Sequence, residues 1–95
     1  MQTIDLECPV QAELMIHIIN GQVVNSKKTN VRVIEFTTTS LKFITSLIFP
    51  VSENVVYKVT LNMFGRNIEV YGMILTSIKE DQSDKFFYEM NFKVN

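Results

Sequence analysis

The sequence predicts an all-β fold, a small six-stranded antiparallel β-barrel. Three observations carry that expectation. Apolar and polar residues alternate along most of the apolar-rich runs, the period of a half-buried strand. Short polar segments holding Asn, Gly, Ser or Pro separate those runs, as turns do. No run shows a convincing amphipathic helix, and a short chain of many strands avoids exposed edges by closing on itself. With 95 residues, 46% of them hydrophobic and 20% charged, the chain reads as one domain, 1–95, able to bury a core.

Taken in order, residues 1–10 mix polarity and contain Pro9; they read as an arm leading into the first strand. Residues 11–19 are apolar on both parities, with Leu14, Ile16 and Ile18 against Met15, His17 and Ile19. The isoleucines and the following Asn20-Gly21 favour a strand ending in a tight turn. Residues 22–30 are polar apart from Val23 and Val24, an exposed connection after at most a short strand. Residues 31–36 and 41–46 are two strands around four consecutive hydroxyl residues, Thr37 to Ser40. Such a turn can hydrogen-bond its own backbone.

Leu47-Ile48-Phe49-Pro50 is an apolar corner that proline must bend or end, and Ser52-Glu53-Asn54 is a polar turn. Residues 55–63 alternate cleanly. Phe64-Gly65-Arg66-Asn67 is a hairpin connection into a long strand, 68–78, with Gly72 expected at a bulge or barrel corner. Residues 79–84 form a polar loop. Phe86, Tyr88, Met90, Phe92 and Val94 then mark the inward face of the last strand.

Composition narrows the function. A net charge of −1 argues against a general nucleic-acid binder, which needs a concentrated basic surface. Lys27-Lys28 reads as a solvated loop. Cys8 is the single cysteine, so an intrachain disulfide or a cysteine zinc site is ruled out, and no cofactor is expected. Glu80, Asp81 and Asp84 lack the glycine and oxygen spacing of a calcium loop. No signal-peptide pattern and no apolar run near the ~20 residues of a membrane span occur; a cytoplasmic protein without membrane insertion is expected. His17 lies among isoleucines without a nucleophile or orienting partner in sight, so the chain reads as a non-enzyme. Tyr71 and Phe87 fall opposite the best apolar sets. With Met73 and Leu75 they predict an apolar stripe outside the barrel, a surface for a protein partner or for self-association.

Three segments carry a family resemblance. Glu35-Phe36-Thr37-Thr38-Thr39-Ser40, followed by Leu41-Lys42-Phe43, stands where a signature turn would. Residues 47–56 (LIFPVSENVV) follow as the connection, and Tyr88-Glu89-Met90-Asn91-Phe92 closes the chain. This order of elements resembles the PilZ domain family of bacterial β-barrels. The resemblance implies a regulatory role near cyclic di-GMP signalling. Family members that bind the nucleotide carry an Arg-x-x-x-Arg pair on the leading arm and Asp/Asn-x-Ser-x-x-Gly at the turn. Here the arm, DLECPVQ (5–11), has no basic residue, and Asp5 and Glu7 would repel phosphate. Ser40 replaces the glycine, where φ > 0 would cost about 1 kcal/mol or more.

The expectation is therefore a regulatory or protein-interaction module that does not hold the nucleotide in the usual way. The alternative is a receptor for cyclic di-GMP or another nucleotide, bound by Glu35, Thr37 and Ser40 with Arg32 or Lys42 as the cation. On the residues alone, Glu35 to Ser40 reads as a structural turn first and a ligand site second.

Overall fold

The computed structural model describes residues 3–63 and 65–92 and, within them, the side chains of 10–62 and 65–92. The chain forms β1 (Thr3–Ile19), β2 (Gln22–Val23), β3 (Thr29–Thr37), β4 (Ser40–Thr45), β5 (Val55–Met63), β6 (Arg66–Lys79) and β7 (Phe86–Phe92). The neighbours run β1-β3-β4-β7-β6-β5, and β5 pairs back onto β1. Every pairing is antiparallel. The result is a closed six-stranded barrel, as the alternation predicts, with β2 as a short hairpin strand against the end of β1. Asn20 and Gly21 both have φ > 0, at 50° and 83°, the turn that Asn-Gly favours between twisted strands.

Two expectations need correction. Residues 3–10 are no separate arm: they are the first half of β1, and Thr3, Ile4 and Asp5 pair with Thr37, Phe36 and Glu35. The register shifts between Asp5 and Val10, an irregularity that accommodates Pro9, which has no N–H for a ladder. The side chains of Asp5, Glu7 and Cys8, and the extension of the last strand to Val94, lie outside the described residues. Of the two places expected for Gly72, a bulge or a barrel corner, the bulge is not where it stands. The bulge of β6 falls at Leu75, between Ile74↔Met90 and Thr76↔Glu89. Gly72 is needed because a Cβ there would overlap the backbone carbonyl of Asn91 on β7.

The interior is filled by side chains from all six barrel strands, among them Leu14, Val33, Phe43, Tyr57, Val59, Ile74 and Met90, none of them accessible to solvent. Aromatic rings seal one end. Phe49, from the corner after β4, sits 6.3, 6.0 and 5.7 Å from the rings of Phe43, Tyr57 and Tyr88. The corner is fixed from inside the barrel. Tyr88 Oη accepts from the Phe49 N–H at 2.9 Å and donates to the Leu47 carbonyl at 3.0 Å, while Tyr57 Oη donates to the Pro50 carbonyl at 2.8 Å. Burial and the neighbouring Tyr88 hold the Tyr57 hydroxyl well above its ordinary pKa.

Candidate binding face

The outside of β3, β4, β7 and β6 carries two cross-strand rows. Arg32, Ile44, Phe87 and Ile78 pair in succession across the four strands. The next row is Glu35, Lys42, Glu89 and Thr76. Residues directly opposite on one face are the contact units of a sheet. The first row is therefore an apolar stripe with Arg32 at its end, and the second a carboxylate–ammonium–carboxylate line. Lys42 Nζ lies 3.6 Å from Glu35 Oε1. Both groups are partly solvated, so the pair contributes less than about 1 kcal/mol.

Bulges give this face its relief. Val33 pairs with Phe43 and Glu35 with Lys42, which leaves Ile34 as the extra residue on β3. A bulge re-aims side chains and increases local twist. Together with the bulge at Leu75, it opens a groove of about 500 Å³ lined chiefly by Ile34, Glu35, Lys42, Ile78, Phe87 and Glu89.

The residues singled out in the sequence fall into three places. Glu35, Lys42 and Phe87 meet in the groove. Arg32 stands at the far end of the Phe87–Ile78 row, beyond Ile44, and opens into a separate shallow depression with Asn30, Ile44, Thr45 and Lys85. Thr37 and Ser40 are buried, and their hydroxyls serve the turn. Thr37 Oγ1 accepts from the N–H groups of Thr39 and Ser40 at 3.1 and 3.0 Å and lies 3.1 Å from Ser40 Oγ. Ser40 is not among the non-glycine residues with φ > 0, which among the described residues are Asn20, Asn25 and Gln82. The turn needs no glycine.

The predicted outer stripe divides. Tyr71 stands opposite Lys58 on β5, its ring 5.1 Å from that of His17. Phe87 pairs with Ile78, on the order of 20 Å farther along β6. Met73, half-buried, pairs with Asn91, and Leu75 is the bulged residue. His17 is itself a bulge in β1, between Ile16↔Tyr57 and Ile18↔Val56. Its Nδ1 lies 2.8 Å from Asn25 Oδ1, so Nδ1–H donates to the amide carbonyl. Lys58 lies 3.1 Å from Glu69, and that hydrogen bond raises its pKa.

Sequence reasoning missed Ile34, Ile44, Ile78 and Glu89. Adjacent apolar pairs, Val33-Ile34 and Ile74-Leu75, were the available sign of bulges. No three His, Cys, Asp or Glu side chains among the described residues converge as a metal site, and no helix is long and apolar enough to cross a membrane. No family model, no curated protein and no solved structure matches the chain. The fold and this face define a small closed β-barrel with a grooved, partly apolar outer wall.

Proposed function

We propose that this protein is a non-enzymatic interaction module whose groove on β3, β4, β7 and β6 receives a protein partner. One observation carries the reading: Ile44, Phe87 and Ile78 form an unbroken apolar row on the outside of a barrel whose interior is already full. A filled small barrel holds no ligand within, whereas an apolar row with a charged rim is the ordinary makeup of a protein-binding patch. Glu35 and Glu89 flank the ammonium of Lys42 along the rim. The matching partner therefore presents an apolar side chain for Ile34 and Phe87 with a Lys or Arg beside it.

A regulatory setting near cyclic di-GMP signalling rests on the resemblance of the turn and closing strand to PilZ domains alone. The nucleotide-receptor alternative keeps Glu35 and Lys42 together in the groove, but the hydroxyls of Thr37 and Ser40 are engaged within the turn and Arg32 opens elsewhere, which favours the protein partner. Selection from a displayed peptide library tests the reading. Enriched peptides should pair an apolar residue with a cation and shift the amide resonances of Ile34, Lys42, Phe87 and Glu89. Perturbations confined to other surfaces would refute it.

A further inference from the structure

We infer that the protein self-associates by antiparallel pairing of the free edge of β6 with the same edge of a second copy. The inference concerns the strand edge rather than the groove, and it stands whether or not the groove receives a partner. β6 pairs with β5 only as far as Gly72↔Tyr57, and Ser52 N–H takes the carbonyl of Ile74 at 3.1 Å. From Leu75 to Lys79 the strand continues against β7 alone, and no described residue pairs with its other side. The segment is exposed throughout, with Leu75 at 40% and Ile78 at 62%. Such an edge is a template for another strand.

The ladder fixes which groups the edge presents. Glu80 N–H donates to the Lys85 carbonyl at 2.9 Å. Hydrogen-bonded and non-hydrogen-bonded pairs alternate in an antiparallel ladder, so Ile78↔Phe87 and Thr76↔Glu89 are the bonded pairs. Ser77 and Lys79, paired with Tyr88 and Phe86, therefore aim their backbone N–H and C=O groups outward. One self-paired register uses all of them: Ser77 opposite Lys79 of the second copy, and Lys79 opposite its Ser77. Four backbone hydrogen bonds form between the copies, and Ile78 meets Ile78 in the central, closely spaced pair. No like charges stand opposite one another in this register, whereas pairing Lys79 with Lys79 would oppose two cations. The apolar row Ile44–Phe87–Ile78 then runs on into its symmetry mate. A strand edge that is its own complement implies a two-fold dimer.

Sedimentation equilibrium of the full chain across micromolar to millimolar concentration reads the dimer directly. Ser77→Pro removes an N–H that the barrel's own ladder does not use, a position where proline is tolerated. It should raise the dimer dissociation constant about tenfold or more, two hydrogen bonds being lost per dimer, with the circular dichroism unchanged. Ile78→Lys opposes two cations and should act in the same direction. In a Cys8→Ser background, Ile78→Cys should form a covalent dimer on mild oxidation. Thr76→Cys should not, because its two copies would lie roughly 13 Å apart in this register. A protein that stays monomeric throughout, or a dimer that both edge variants leave intact, would overturn the inference, as would cross-linking at 76 in preference to 78.

Discussion

The phenolic oxygen of Tyr88 receives the backbone N–H of Phe49 at 2.9 Å and returns its proton to the carbonyl of Leu47 at 3.0 Å. One side chain from β7 thus satisfies two backbone groups of a corner that has no ladder of its own. Tyr88→Phe keeps the ring packing and strands both groups, at a cost of about 1–3 kcal/mol. Urea unfolding should show that loss, with amide exchange accelerating first at Phe49.

Alkaline stability should fall through Tyr57. Burial raises its pKa in the folded state above the ordinary tyrosine value, whereas the unfolded side chain ionises near pH 10. Above about pH 10 the unfolded state binds fewer protons, so its stabilisation grows and folding stability declines as pH rises toward the folded pKa. Lys58, raised by its hydrogen bond to Glu69, acts with the same sign. Tyr57→Phe should flatten the alkaline decline in urea midpoint. At neutral pH it should cost roughly 1–2 kcal/mol for the Pro50 carbonyl left without its donor.

Gly72 and Gly21 separate two uses of glycine. At Gly72 an added Cβ meets the backbone of Asn91 and Phe92, which only a shift of β7 can relieve. Gly72→Ala should cost about 3 kcal/mol or more, in the range of severe core strain. Gly21 has open space around it and φ of 83°. Gly21→Ala should lose only about 1–2 kcal/mol, the left-handed backbone penalty. Thermal unfolding of the two variants side by side measures the difference.

Thr37 should matter to folding and not to nucleotide. Its Oγ1 accepts two backbone N–H groups, so Thr37→Val should destabilise by about 1–3 kcal/mol. Calorimetric titration of the wild type with cyclic di-GMP should show no saturable heat. Binding that depended on Glu35 and Thr37 would reverse the assignment of this turn as structural.

Much of the barrel could be read from residues because inward and outward positions alternate with a strict period of two. Leu41-Lys42-Phe43 and Tyr88-Glu89-Met90 announce their faces directly, and Asn20-Gly21 announces its turn. The period breaks where one residue is inserted. Ile34, His17 and Leu75 each flip the parity of the rest of their strand, so the outer row of Ile44, Phe87 and Ile78 could not be assembled from spacing. Tyr71 and Phe87 share an outward orientation in sequence, yet the length of β6 sets them apart. The first half of β1 was hidden by its mixed polarity and by Pro9. Its partner, the second half of β3, is the same segment that carries Glu35 and the hydroxyl turn, a long-range relation that no local pattern encodes.

The central claim is that the groove of β3, β4, β7 and β6 is a protein-binding face, and Phe87→Lys tests it most directly. Phe87 lies on the outer wall, so the variant should keep the wild-type fold by circular dichroism. Affinity for a groove-selected peptide, measured by fluorescence anisotropy, should drop at least about tenfold, the scale of removing an aromatic anchor. An unchanged affinity in the folded variant would contradict the account.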